Sequence, residues 1–214
     1  MIPWHQITQF GDVTITSVLA LAIAAWLLLE GERRLALWWC VLFAASTVLV
    51  IATKVAFIGW GIGVRSVNFT GFSGHAVRVA AIIPVLLYLM LQRAPPGTRS
   101  LGVLAGYALA LLLGISRLAV HAHSVSEVVA GLLLGATISA VFIGIAGSLE
   151  GPAFSPLWIA LIVLTLLPAP YVRPAPTQAW LTRVTLYVSG HDRPCRRSHW
   201  TRPCPLDPGA AAES

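Results

Sequence analysis

The chain has few charged residues, and only one of them is a lysine. Of its 214 residues, 10% are charged and 57% are hydrophobic, and the mean hydropathy is +0.81. These values exclude an ordinary soluble domain and are typical of a polytopic membrane protein. The net charge of +6 does not indicate nucleic-acid binding, because the basic residues are scattered at the ends of apolar runs rather than gathered on one stripe.

Cysteine is also scarce, and the three cysteines form no metal-binding pattern. Cys40 lies within an apolar run and is predicted to be a small core residue. Cys195 and Cys204 lie in a polar tail, where they would pair only in an oxidising compartment. The N-terminal residues lack the basic region and the small-residue cleavage site of a signal peptide, so the first apolar run is predicted to be a retained helix.

The apolar runs predict an all-α integral membrane protein, a bundle of six transmembrane helices. Residues 59–74 are rich in glycine and are predicted to form a re-entrant or interfacial loop, and residues 92–100, with two prolines and a glycine, are predicted to be another loop. Gly131 and Gly135 have the spacing of close helix packing. The predicted helices cover residues 13–29, 35–57, 75–91, 101–116, 124–147 and 156–171.

The six helices would form one membrane domain, residues 1–171, followed by a basic, proline-containing tail, residues 172–214, predicted to be interfacial or partly disordered. Counting the crossings places Lys54, the glycine loop and the turn at 117–123 on one face of the bilayer. The opposite face receives short loops with four arginines, which indicates the cytoplasm. The cluster is therefore predicted to lie on the extracytoplasmic face of the cell (inner) membrane.

That cluster gathers ionisable groups whose insertion into a membrane costs ~2.5 kcal/mol or more each, so it requires a function or mutual pairing. Its members are Lys54, His75, Arg117, His121, His123 and Glu127. Arg117 offers a fork for phosphate oxygens and Lys54 a point charge, so an anionic substrate is predicted. Ser73 is a candidate helix cap, and Gly74 would let a phosphoryl group approach the backbone.

His123 and Glu127 are four residues apart and would share one face of a helix. In one interpretation the carboxylate accepts the Nδ1–H of the imidazole and leaves Nε2 free as a nucleophile. In the other, Ser124 and Glu127 form a capping box that only closes the start of the helix. The nearby cations favour the first interpretation.

The fragments Ser73-Gly74-His75 and Ser116-Arg117-x5-His123-x3-Glu127 resemble two motifs of the type 2 phosphatidic acid phosphatase (PAP2) superfamily, PSGH and SR-x5-H-x3-D. With a lysine at the end of the preceding helix, the resemblance covers residues 54–127, and the six-helix layout extends it over most of the chain. It implies a PAP2-like fold and a hydrolase that forms a phosphohistidine and needs no metal or other cofactor.

The resemblance also implies roles for single residues. His123 would be the nucleophile, Glu127 would orient it, and His75 would be the general acid. The phosphoryl oxygens would be bound by Lys54, Ser73, Gly74 and Arg117. The sequence departs from the pattern at Phe72 and Glu127, which stand in place of Pro and Asp, and lacks the Arg-Pro of the first motif, K-x6-RP, for which Arg65 is a substitute candidate.

The predicted function is hydrolysis of a lipid phosphate or diphosphate, such as undecaprenyl diphosphate, phosphatidic acid or phosphatidylglycerol phosphate. The substrate and the bilayer are the expected partners. One alternative is a non-enzymatic membrane protein, a transporter or a headgroup-binding scaffold, with a degenerate site. A weaker alternative is a metal site that uses His75, His121, His123 and Glu127, which the adjacent cations disfavour.

Overall fold

The computed structural model describes residues 3–147, 162, 164 and 176–197, and within these ranges the protein is helical. One short 3-10 helix, Arg65–Val67, lies in the loop after α3, beside an antiparallel bridge between Val64 and Phe69. The α-helices of the described ranges are α1 (Trp4–Gln9), α2 (Val13–Leu29), α3 (Arg33–Trp60), α4 (Gly74–Met90), α5 (Pro96–Ala119), α6 (Val125–Gly147) and α7 (Thr177–Ser189).

The helices have the length and surface of a membrane protein. Within the described ranges, α3, α5 and α6 are long and apolar enough to cross a membrane, and α2 and α4 are apolar helices of 17 residues each. Many large apolar side chains face outward, including Leu21, Leu29 and Leu133, as expected of a surface in contact with lipid. The sixth predicted helix, 156–171, lies outside the described residues except at positions 162 and 164, so the count of six spans stays a prediction.

The main hydrophobic core lies near the turn between α2 and α3. Trp26, Leu27, Leu35 and Trp39 are fully buried there, and Phe142 of α6 packs against the ring of Trp39. The indole Nε1 of Trp39 donates a hydrogen bond of 2.9 Å to a carbonyl of α2, so this buried donor is satisfied. At ~1.5 Å per residue, α3 then carries Lys54 to the other end of the bundle.

α4 and α6 pack backbone to backbone through the two glycines with the predicted spacing. A Cβ atom on Gly135 would lie 2.3 Å from the carbonyl oxygen of Val77, and one on Gly131 would lie 2.9 Å from that of Ser73. Only glycine permits these approaches. The contact fixes the start of α4, with Ser73-Gly74-His75, against the start of α6, with Glu127.

Several helix ends differ from the prediction, and two of them have a clear physical reason. α5 begins at Pro96 rather than at residue 101, because a proline at the first helical position loses no hydrogen bond. α3 continues through Gly59 and ends at Trp60, so Gly59 is not part of the loop. α7 packs directly against Gly59, because a Cβ atom at this position would lie only 3.2 Å from Thr185 Cγ2.

Two short helices were not predicted, and the prediction for Cys40 was wrong. Residues 4–9 form a short helix that was not predicted, α1, which packs against α5. Within the described part of the tail, residues 177–189 form α7, which buries Thr185 against α3 and is not disordered. Cys40 is exposed rather than in the core, because it lies about 100° around α3 from the buried Trp39. Cys204 lies outside the described residues.

Candidate active site

A cavity of about 910 Å³ opens at the end of the bundle where α3 ends and α4 begins. Its wall on α3 and α7 is largely apolar apart from Lys54, whereas the other charged residues come from other parts of the chain. The charged residues that line it are Asp12, Lys54, Arg78, Arg117, Glu127 and Arg197, and His75 and His123 lie among them. With four cationic side chains against two carboxylates, the cavity is suited to an anion.

His123 and Glu127 are hydrogen-bonded at the edge of this cavity. The Nδ1 atom of His123 lies 2.8 Å from Glu127 Oε2, and only 1% of the Glu127 side chain is exposed. Because a carboxylate only accepts hydrogen bonds, Nδ1 carries the proton and Nε2 keeps a lone pair. The structure therefore contains the oriented imidazole of the first interpretation.

The capping interaction is present as well. The backbone N–H of Ser124 donates to Glu127 Oε2 at 3.2 Å, and the backbone N–H of Glu127 donates to Ser124 Oγ at 3.4 Å. Glu127 Oε1 accepts hydrogen bonds from the backbone N–H of Thr70, at 2.9 Å, and from its hydroxyl. One carboxylate thus closes the start of α6, holds the loop before α4 and orients His123.

Burial lowers the pKa of His123 below its ordinary value of about 6.5, and the nearby charges of Lys54 and Arg117 act in the same direction. The hydrogen bond to Glu127 opposes these effects, but the direction of the shift is downward. The imidazole is therefore neutral at neutral pH, which is the form that a nucleophile requires.

Three cationic residues of the membrane helices line the cavity together with His123: Lys54, Arg78 and Arg117. Arg117 donates from Nη1 to Thr8 Oγ1 at 2.8 Å, which ties α5 to α1. The buried Nε atoms of Arg78 and Arg117 have no hydrogen-bond partner among the described residues. A buried guanidinium donor without a partner is costly, and an anion in the cavity that both arginines line would offset this cost.

At the start of α4 the structure changes the role predicted for Ser73. Its side chain makes no cap hydrogen bond, and its buried hydroxyl has no partner among the described residues. Its backbone N–H donates to the carbonyl oxygen of Glu127 at 3.1 Å, and it does not line the cavity. Gly74 and His75 do line it. The first N–H donor within α4 is that of Val77, so no described residue accepts from the earlier N–H groups of this turn, which suit an anion.

His75 is held in place by the turn between α1 and α2. A Cβ atom on Gly11 would lie only 3.1 Å from Cδ2 of His75, so the ring packs directly on the glycine backbone. His75 and His123 therefore line one cavity from α4 and from the loop before α6. Both predicted catalytic histidines are brought together.

Two other candidates are not brought into the site. Arg65 is exposed on the 3-10 helix and does not line the cavity, so it does not stand in for the missing arginine of the first motif. His121 is exposed, adopts a left-handed conformation with φ of 54° and does not line the cavity. The described residues contain no group of three His, Cys, Asp or Glu side chains that could hold a metal ion, so the metal-site alternative lacks a ligand set.

Comparison with known proteins identifies the family of this chain. A protein of Klebsiella pneumoniae described as "Uncharacterized 22.5 kDa protein in cps region" is 40% identical over 200 residues, which cover 91% of this chain and 96% of that protein. The model of the PAP2 superfamily matches residues 63–148, which include both motifs. The chain belongs to the PAP2 superfamily. No solved structure matches it significantly.

Membership in the PAP2 superfamily confirms the predicted relationship and suggests phosphatase activity. Lys54 precedes the matched range, and it lines the cavity beside Gly74 and His75. Arg197 follows that range by about fifty residues along the chain, yet it reaches the same cavity.

Sequence reasoning missed three polar residues of this PAP2 site. Arg78 had a usable signal, because it is an arginine inside an apolar helix and lies one turn after His75, on the same face. Thr70 and Arg197 had none, since both reach Glu127 through contacts between residues far apart in the chain.

Proposed function

We propose that this PAP2 protein is a membrane-embedded phosphatase that hydrolyses the phosphate or diphosphate group of a lipid through a phosphohistidine. The observation that carries the proposal is the hydrogen-bonded pair of His123 and Glu127 at the edge of a cavity rich in cations. This pair leaves Nε2 unprotonated and directed by a buried carboxylate, as a nucleophile requires.

In the proposed first step, Nε2 of His123 attacks phosphorus, and the bond from phosphorus to the leaving oxygen breaks. His75 donates a proton to that oxygen, and the negative charge of the bound phosphate favours the protonated form that this step needs. The product is a lipid alcohol from a monoester, or a lipid monophosphate from a diphosphate.

In the second step, water attacks the phosphohistidine, His75 takes its proton, and inorganic phosphate is released while His123 is regenerated. Lys54, Arg78 and Arg117 offset the charge on the phosphoryl oxygens in both steps. Arg78 supplies the second guanidinium that the first motif lacks, from α4 rather than from the end of α3. These cations and the free N–H groups of α4 supply the charge stabilisation without a metal ion.

The apolar wall of the cavity supports a lipid substrate. It is formed by α3 and α7, and its members are Val50, Ile51, Phe57, Ile58, Trp180, Leu181 and Val184. An alkyl or isoprenoid chain that lies along this wall would place its phosphate before His123. Because Arg33, Arg34, Arg93 and Arg99 lie in the turns and first helical turns at the other end of the bundle, we place this site on the extracytoplasmic face of the cell (inner) membrane.

The test is phosphate release by the purified protein from a panel of three lipids: undecaprenyl diphosphate, phosphatidic acid and phosphatidylglycerol phosphate. We expect turnover in EDTA, none in His123→Ala, and unchanged turnover in His121→Ala, which removes an imidazole two residues away but outside the cavity lining. Acid-labile radiolabelled phosphate should accumulate on the wild-type protein and be absent from His123→Ala.

Other outcomes would point elsewhere. Undiminished turnover by His123→Ala would refute the assigned nucleophile. Headgroup binding without hydrolysis would favour a binding or transport protein, and loss of activity in EDTA would favour metal-dependent chemistry.

A further inference from the structure

The C-terminal segment, residues 190–197, runs back across the end of α3. His191 Nδ1 lies 2.9 Å from the carbonyl oxygen of Gly59. The backbone N–H of Cys195 donates to the carbonyl oxygen of Ile58 at 2.9 Å. Both acceptors belong to the last turn of α3, where the carbonyl groups of a helix lie beyond its regular hydrogen-bond pattern. The segment therefore caps α3 and is a folded part of the site.

The helix that precedes this segment is also firmly placed. α7 packs on Gly59 through Thr185 and Ser189, and Thr185 is fully buried. Gly190 ends α7 with φ of 70°, which turns the chain back towards the cavity. These contacts place Arg197 beside Glu127.

Arg197 pairs with the carboxylate that orients the nucleophile. Its Nη2 atom lies 2.7 Å from Glu127 Oε1, and its side chain is 40% exposed, whereas that of Glu127 is 1% exposed. The other oxygen, Oε2, accepts from His123. A single carboxylate thus connects the guanidinium to the imidazole.

We propose, on the basis of the proposed function, that Arg197 is a positioning residue that acts on His123 through Glu127, so that the C-terminal segment completes the catalytic site. The guanidinium fixes the rotation of the carboxylate, since it holds Oε1 while Oε2 faces His123. Its charge also offsets part of the negative charge of Glu127 and limits how strongly that carboxylate favours a protonated imidazole.

The pH dependence follows from the charges around His123. The groups that face it are Lys54 from α3, His75 from α4, Arg117 from α5 and Glu127 from α6. Removing Arg197 leaves the other cations in place but exposes the full charge of Glu127. The pKa of His123 should therefore rise, and the acidic limb of the activity profile should move to higher pH.

The experiment compares the full-length wild type with Arg197→Gln, Arg197→Lys and Arg193→Gln. Arg193 lies four residues earlier, is exposed and does not line the cavity, so it matches the charge change. His123 is titrated by NMR in protein labelled with ¹⁵N-histidine, and kcat and KM are measured by phosphate release. Melting temperatures identify variants that do not fold.

For Arg197→Gln we expect kcat to fall about 10- to 100-fold, as for one lost hydrogen bond to a charged group, with KM changed by less than about twofold. The pKa of His123 should rise in the same variant. Arg197→Lys should recover most of kcat and the original titration, and Arg193→Gln should behave as wild type. If Arg197→Gln does not fold, Arg197→Met removes the same charge and keeps the aliphatic stem.

Two results would overturn the role of Arg197. A rise in KM with kcat and the His123 titration unchanged would show that Arg197 binds phosphate directly. Identical behaviour of Arg197→Gln and Arg193→Gln would show a surface ion pair without a function. A wild type that hydrolyses none of the lipids would refute the proposed function, whereas the NMR titration would still decide whether Arg197 acts on His123.

Discussion

Replacing Glu127 with glutamine tests the orienting carboxylate, because five donors share its two oxygens. Oε1 accepts from the backbone N–H and hydroxyl of Thr70 and from Arg197, and Oε2 accepts from His123 Nδ1 and from the backbone N–H of Ser124. Glutamine provides one acceptor oxygen and one NH₂ group, so it cannot satisfy both sets.

The amide oxygen of Glu127→Gln should take the side with three donors, since the opposite orientation would point NH₂ at a guanidinium. The NH₂ group then faces His123 Nδ1, which must become an acceptor, so the proton moves to Nε2 and the lone pair of the nucleophile is lost. Two hydrogen bonds to a charged group correspond to about 3–6 kcal/mol, or about 10²- to 10⁴-fold in kcat.

The assay is phosphate release by Glu127→Gln beside Glu127→Asp, with thermal unfolding to confirm that both variants fold. Aspartate keeps the charge with a side chain shorter by one methylene group, so its loss of kcat should be clearly smaller. If folded Glu127→Gln retained more than a tenth of the wild-type kcat, the carboxylate would not orient the nucleophile.

Three further predictions follow from the same geometry. Arg78→Gln should raise KM for the lipid phosphate at least about tenfold and Arg78→Lys less, because Arg78 lines the cavity and its buried Nε has no partner among the described residues. An unchanged KM would exclude Arg78 from phosphate binding. Gly135→Leu should lower stability by about 1–3 kcal/mol or more in thermal unfolding, since its Cβ atom would lie 2.3 Å from a carbonyl oxygen, whereas Gly144→Leu, with nothing within 4 Å, should change little. Because burial lowers the pKa of His123, kcat/KM should stay constant as the pH is lowered through about 6.5 and should fall only at more acidic pH. A decrease that begins above pH 6.5 would contradict a neutral nucleophile.

Much of the helical framework was predictable from hydrophobic patterns. The predicted helix 13–29 has the bounds of α2, and the predicted start of α6 differs by one residue. The errors occur where tertiary contacts outweigh local preference. Gly59 suggests a loop by composition but is helical because α7 packs on it, and Pro96 suggests a loop but suits the first turn of α5.

The site was predictable to the extent that its residues lie in recognisable motifs. Lys54, Gly74, His75, Arg117, His123 and Glu127 all line the cavity. Ser73 illustrates the limit. Its position predicts a helix cap, but its buried hydroxyl makes no cap hydrogen bond and has no partner among the described residues. Arg197 was beyond sequence reasoning, since a pattern of local spacing carries no information about a contact across seventy positions of the chain.

The glycine-mediated contact between α4 and α6 has a consequence for how this scaffold can diversify. Backbones that touch at Gly131 and Gly135 leave no room for side chains to vary, so the frame that carries the two histidines is mechanically stiff. The face that α3 and α7 turn to the cavity is built from side chains, which can be exchanged without moving a helix. Under the proposed function, new lipid preferences should therefore arise by substitution along that face, while the part of the protein that carries the two histidines stays unaltered.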